Sequence, residues 1–345
     1  MLGFVGLGIS GIDSISIKNQ KLIEDADIVY LEQFTSPISK LELNKLKKIV
    51  KGEFKIGKRW LVEDGKEILK HSKKKKVLLL TYGDPFIATT HIELRTRAIK
   101  EKIKTFSIHA ASSITSLVGE CGLHYYKVGR IVTVMNDIKS MTTPYYAIYN
   151  NALSGHHTLL LLEYNQDAEF FFEPLEALSD LLKTEKEQKR KVILPSTFAI
   201  IASRIGFKNQ AITAGKISNL LKKKIGEPPH SIIIPGNLHF TESDALQALA
   251  ECIDAPFDNT KNIKKIANQM LEKYVPMVRK ALEEISPLYQ NSKEFQEVLE
   301  NADLYIRDAE KFLEEGKDEV AILSIGYADG LVDALRIAKG LEPRS

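Results

Sequence analysis

Cysteine is nearly missing: the 345 residues hold only Cys121 and Cys252, far apart and with no CxxC spacing. That excludes a disulfide framework and a cysteine-based zinc site, and it fits a reducing compartment with two buried free thiols. Long apolar runs are missing too. None approaches the ~18 residues of a membrane span, and residues 1–15 carry neither a basic n-region nor a signal-type cleavage site. A cytoplasmic protein is expected. Neither sign of charge dominates, with 48 Lys+Arg against 45 Asp+Glu and a net charge of +3. At 44% hydrophobic and 27% charged residues, the composition is that of an ordinary soluble protein, which excludes a disordered or fibrous class. A chain this long exceeds one ordinary core, so two or three domains are expected.

The charge is unevenly spread. Residues 251–345 hold 13 Lys+Arg against 19 Asp+Glu, leaving 35 against 26 for residues 1–250. The basic clusters Lys73–Lys76, Lys186–Arg190 and Lys222–Lys224 read either as solvated loops or as a docking face for an acidic or RNA-bearing partner.

Residues 1–250 alternate short apolar runs with helical patterns, the signature of an α/β fold with a largely parallel sheet. Strands are expected at Gly3–Leu7, Ile28–Leu31, Val77–Thr81, Thr105–His109, Ile131–Val134, Thr158–Glu163, Val192–Ser196 or Phe198–Ala202, and Ser231–Pro235. Helices are expected from Ser16 to Ala26, after a capping box at Thr90-His91-Ile92-Glu93, and from Ser112 and Ser113 to Gly119. Composition shifts at Ala255-Pro256-Phe257. Beyond it three apolar stripes at helical spacing predict a three-helix hairpin or bundle: Ala267 to Ile285, Leu299 to Leu313, and Leu323, Tyr327, Leu331, Ala334 and Ala338. Pro276 should kink the first helix, and Gly326 and Gly330 suggest a close helix–helix contact.

Gly6-Leu7-Gly8-Ile9-Ser10-Gly11 satisfies the GxGxxG spacing after a strand, and Glu32 follows at the end of the next. A dinucleotide site needs those glycines to open a helix whose amides hold the pyrophosphate. Here the β-branched, Ser-rich segment Ile12–Ile17 delays the helix start by several residues. The glycines therefore read as a loop able to lie backbone-first against a ligand, which weakens the alternative of an NAD-dependent oxidoreductase.

Leu78-Leu79-Leu80-Thr81 runs into Tyr82-Gly83-Asp84-Pro85, a buried strand ending in a turn with one carboxylate. Open α/β folds bind ligands outside such strand ends. Asp84 either faces a cationic ligand or bonds its own turn amides. His91, His109 and His124 share no metal-ligand spacing and read as structural.

Several motifs together carry a resemblance: Phe4-Val5-Gly6-Leu7-Gly8-Ile9, Gly83-Asp84-Pro85-Phe86-Ile87-Ala88-Thr89-Thr90-His91, Ile108-His109-Ala110-Ala111-Ser112-Ser113-Ile114, Gly122-Leu123-His124-Tyr125-Tyr126-Lys127-Val128-Gly129 and Gly226-Glu227-Pro228-Pro229-His230-Ser231. Over about residues 1–250 the chain resembles the diphthine synthase family, of the tetrapyrrole-methylase-like class of S-adenosylmethionine-dependent methyltransferases. The resemblance implies a two-domain α/β fold, residues 1–109 and 110–254, with S-adenosyl-L-methionine in the interdomain cleft of a homodimer. It implies trimethylation of the aminocarboxypropyl-histidine of translation elongation factor 2 to diphthine, with no direct nucleic-acid partner and no membrane. Carried over motif by motif, cofactor contacts fall at Ile9, at Asp84 and Ile87, at Ser112 and Ser113, and at Leu162, Ile205 and His230. His230 is expected to act through backbone and packing, and neither a metal ligand nor a catalytic base is implied. The tail, domain 257–340, resembles a small archaeal helical domain. Competing readings are an enzyme of the same fold acting on a tetrapyrrole or ribosomal RNA, and a scaffold whose acidic tail recruits a partner.

Overall fold

A computed structural model describes residues 1–343. The chain divides into two compact units, Met1–Ile263 and the residues from Lys264 onward.

The first unit opens with a wholly parallel sheet of β1 (Leu2–Gly6), β2 (Ile28–Glu32), β3 (Glu53–Gly57), β4 (Val77–Thr81) and β5 (Thr105–Ile108), in the order β3-β2-β4-β1-β5. Every residue of β1, β2 and β4 is buried, as continuous apolar strands covered on both faces must be. Alternation divides them between two cores. Phe4, Tyr30 and Leu79 pack on one face, and Val5, Leu31 and Leu80 on the other.

Between Ile108 and Ser113 the chain crosses to a second sheet. Ile114, Leu117 and Val118 of the helix Ser113–Glu120 pack against Leu159, Phe198 and Ile200 of that sheet. Its strands are β6 (Val132–Val134), β7 (Thr158–Leu162), β10 (Phe198–Ser203), β11 (Ala211–Lys216), β12 (His230–Ile234) and β13 (Glu251–Cys252), in the order β13-β11-β10-β12-β7-β6. A separate short hairpin of β8 (Tyr164–Asn165) and β9 (Phe170–Phe171) follows β7. This sheet is mixed, which corrects the expectation of largely parallel pairing. β6 with β7 and β11 with β13 are parallel, whereas β7–β12, β12–β10 and β10–β11 are antiparallel. Residues 204–210 between β10 and β11 are too few for a crossover, so only antiparallel pairing is open to them.

The helix after β4 begins at His91 with Thr90 as its N-cap residue, but the Thr90 side chain makes no capping hydrogen bond, so the expected capping box does not form. Past the composition shift at 255, Phe257 meets the Phe198 ring edge-on at 6.0 Å. Asn259 accepts from Phe198 N (2.8 Å) and donates to Phe198 O (2.9 Å) and Pro235 O (2.7 Å). The first unit thus runs on to Ile263.

The second unit holds the helices Ile266–Ile285, Lys293–Glu314 and Asp318–Ala338. Leu271, Val278 and Ile285 pack against Leu299, Ala302 and Ile306, close to the expected stripes, and the first helix continues through Pro276. The third helix differs. Ala321, Ile325, Ala328, Val332 and Leu335 face the core, while Leu323 and Tyr327 of the expected stripe are exposed. This helix carries apolar residues on two faces, and the small alanines take the tightly packed one. A Cβ added at Gly326 or Gly330 would meet nothing within 4 Å, so neither glycine marks a close contact. Among the described residues no helix is long and apolar enough to cross a membrane.

Candidate active site

The carboxyl ends of β1, β4 and β5 in the first sheet face one end of the second sheet across a cleft of about 730 Å³. β1 and β4 are neighbours whose outgoing loops are tied together. Gly8 N donates to Gly83 O at 3.3 Å, and Gly83 N donates to Gly8 O at 2.8 Å. Both glycines hold positive φ, 77° and 83°. An added Cβ at Gly8 would meet nothing, and one at Gly83 only Ser112 Cα at 3.9 Å, so the loops leave bare backbone beside the cleft.

All eight residues expected to contact the cofactor line this cleft. Ile9 follows β1, Asp84 and Ile87 follow β4, and Ser112 and Ser113 follow β5. Leu162 ends β7, Ile205 follows β10 and His230 opens β12. The register explains the convergence: Ser203 pairs with His230, and Ser231 with Leu161, placing these antiparallel strand ends side by side.

Their polar atoms are largely committed. Asp84, 4% exposed, accepts from Phe86 N at 2.9 Å through Oδ1. Its Oδ2 accepts from Ala110 N at 3.3 Å and lies 2.8 Å from His109 Nδ1. Asp84 thus bonds its own turn and also braces the loop after β5. A carboxylate has about four lone-pair positions, which leaves room for one further donor. Ser112 caps the helix Ser113–Glu120, accepting from Ile114 N at 3.3 Å. His230 Nδ1 lies 2.8 Å from Ser203 Oγ, and burial pushes its pKa down to about 4, so its ring is neutral at physiological pH.

The dinucleotide pattern does not become a phosphate site. After Gly11 the chain forms a 3-10 turn, Ile12–Ser14, and the helix starts only at Ile17 with Ser16 as its cap. Ile12 N donates to Glu42 Oε2, so a carboxylate stands where a phosphate would be needed. Glu32 is 2% exposed and turned to its own loop, accepting from Phe34 N and Thr35 N, each at 3.1 Å, and from Thr35 Oγ1. Burial pushes its pKa up to about 7 against the pull of those donors and of Arg59. It is not placed to hold a ribose.

Other lining residues escaped the sequence reading: Thr35–Pro37 after β2, Lys58 and Arg59 after β3, and Asn165–Asp167 in the hairpin β8–β9. Lys58 Nζ pairs with Asp167 Oδ1 at 3.2 Å, and Gln166 donates to Gln33. A Lys-Arg pair directly after a strand closed by Gly57 is the signal that would have pointed to them, had β3 been recognised.

Aliphatic walls, bare glycine backbone and one buried carboxylate fit an organic ligand with an apolar body and a cationic centre. The sequence matches the tetrapyrrole (corrin/porphyrin) methylases over residues 1–221, and the chain belongs to that family. Membership makes it a methyltransferase that works with a methyl-donor cofactor.

Within the family it groups with the diphthine synthases. That of Methanococcus vannielii is 34% identical over 256 residues, covering 73% of this chain and 100% of the relative. That of Methanothermobacter thermautotrophicus is 34% identical over 252 residues, covering 72% and 96%. A solved diphthine synthase structure superposes with a TM-score of 0.65 at 29% identity, over 76% of this chain and 99% of the other. Residues 273–341 match a family described only as a protein of unknown function, DUF357.

Proposed function

We propose that the protein is an S-adenosylmethionine-dependent N-methyltransferase that trimethylates the aminocarboxypropyl-histidine of translation elongation factor 2, giving diphthine in diphthamide biosynthesis. The observation that carries this is the single cleft into which six strand ends of two sheets deliver all eight expected contacts, in a chain that matches diphthine synthases along their full length. In this reading residues 1–109 and 110–254 are the two halves of the enzyme, residues 255–263 belong with the second half, and a helical domain is fused from Lys264 onward. It acts as a cytoplasmic homodimer on a protein substrate, without nucleic acid or membrane.

When bound, S-adenosylmethionine supplies an electrophilic methyl group on a sulfonium. Ile9, Ile87, Leu162 and Ile205 form the apolar walls that exclude water around it, and the bare backbone at Gly83 gives it close approach. Asp84 offers its remaining lone pair to a cationic donor. Methyl transfer to a neutral amine is an in-line displacement in which positioning and desolvation lower the barrier. The acceptor sheds a proton first, and its neighbouring carboxylate holds the ammonium pKa above the ~8 of a free α-amino group. Each methylated amine keeps a lone pair until the third transfer leaves a quaternary ammonium, where reaction at nitrogen ends.

Mass spectrometry of elongation factor 2 bearing aminocarboxypropyl-histidine, incubated with the protein and S-adenosylmethionine, tests the reading. Three methyl groups on nitrogen and none on the carboxylate are expected. No gain removes the substrate, and a fourth, alkali-labile methyl shows ester formation instead.

A further inference from the structure

The cleft is lined by more than the eight residues discussed above. In the order β3-β2-β4-β1-β5, their first-sheet members follow β4, β1 and β5. Phe34 and Thr35 follow β2, and Arg59 follows β3. At the ordinary strand spacing of about 4.8 Å, β3 stands three strands, or about 14 Å, from β1. A methyl donor held beside β1 and β4 therefore leaves this outer end of the cleft for a second molecule.

The outer end is built to present a guanidinium. Arg59 lies over the Phe34 ring with its central carbon 5.1 Å from the ring centroid, an arrangement that covers one face of the guanidinium and leaves its in-plane N–H groups available. Phe34 is itself fixed by Glu32, whose Oε2 accepts from its amide at 3.1 Å. The neighbouring cation, Lys58, is taken up by Asp167 at 3.2 Å. Arg59 pairs with Glu63 at 3.6 Å, longer than a hydrogen bond, and its side chain is 60% exposed. Thr35 lines the same wall. A rigid fork of donors recognises a carboxylate.

We propose that Arg59, seated on Phe34, binds the α-carboxylate of the amino-acid acceptor. This inference rests on the function proposed above and adds the residue that reads the acceptor. The contact is made equally in the bound and reacting states, so its loss raises KM and leaves kcat nearly unchanged. Lysine keeps the charge but not the fork.

The test measures KM for elongation factor 2 bearing aminocarboxypropyl-histidine, and S-adenosylmethionine affinity by calorimetry, for wild type, Arg59→Gln and Arg59→Lys. Tenfold or greater elevation of KM is expected for Arg59→Gln and a smaller one for Arg59→Lys. S-adenosylmethionine affinity should stay within twofold and the melting temperature should not move. An unchanged KM in an active protein overturns the subsite alone. A parallel fall in S-adenosylmethionine affinity also overturns it, by assigning Arg59 to the donor. Wild-type protein that transfers no methyl group to this acceptor overturns the functional reading and the subsite with it.

Discussion

The Asp84 carboxylate and the His109 imidazole meet at 2.8 Å, joining the loop after β4 to the loop after β5. One acid thereby braces two of the loops that line the cleft and keeps a lone pair for a ligand. Asp84→Ala should weaken S-adenosylmethionine binding by about 1.5–3 kcal/mol, the worth of a charge-assisted hydrogen bond, in a protein that remains folded. Calorimetry decides it: unchanged affinity would leave Asp84 as a loop brace only.

Close approach of the loops gives a second expectation. A Cβ at Gly6 would lie 2.6 Å from Gly83 O and 2.9 Å from Ala110 Cβ. Gly6→Ala must therefore push the β4 loop off the β1 loop. A loss of about 1–3 kcal/mol in stability is expected, seen as a lower melting temperature and accompanied by weaker donor binding. Gly8→Ala, whose Cβ would meet nothing, bears only the strain of its positive φ and should cost less.

His91 is fully buried, with Nδ1 3.0 Å from Pro85 O, and burial pushes its pKa from 6.5 down to about 4. The fold thus favours the neutral ring. Because the folded pKa is the lower one, the stability it contributes is present above pH 6.5 and is lost as pH falls toward 4, up to about 3 kcal/mol. Nuclear magnetic resonance should find the His91 ring titrating near 4, with stability falling across that window. Titration near 6.5 would refute the burial argument.

Where the enzyme unit ends can be tested by truncation. Chains cut after Ile263 should keep donor affinity and basal methyl transfer. A cut after Ala255 removes Phe257 and Asn259, and with them three hydrogen bonds to the backbone of Phe198 and Pro235. The shorter chain should melt at a lower temperature, and equal melting would show that residues 256–263 contribute nothing.

Much of the fold was legible because burial on both faces of a parallel sheet forces continuous apolar runs, and β1, β2 and β4 are such runs. β3 was not legible: Glu53-Phe54-Lys55-Ile56-Gly57 lies at an edge, half-exposed, and spends charged residues where a central strand could not. β11, Ala211–Lys216, was missed because Gly215 and two alanines dilute its β-branched signal. On the third helix of the second unit the large apolar residues Leu323 and Tyr327 misled the phase, since the core face mixes two alanines with Ile325, Val332 and Leu335. The convergence of the eight expected residues on one cleft was legible only through a resemblance spanning several motifs. Arg59 was not, because nothing in its neighbours reveals that β2 and β3 bring Phe34 beneath it.

The position of β1 also governs how the chain is made. Leu2 pairs with Val77 on one side and with Thr105 on the other. At synthesis rates of about 5–20 residues per second, Thr105 follows Leu2 by roughly 5–20 s. Until Val77 is made, β1, apolar along its whole length, has neither neighbour, and until Thr105 is made it stays open on one side. The newborn chain therefore carries an unpaired hydrophobic strand that the ribosome's surroundings or a chaperone must shelter, and the loops after β1 and β5 cannot meet before β5 exists.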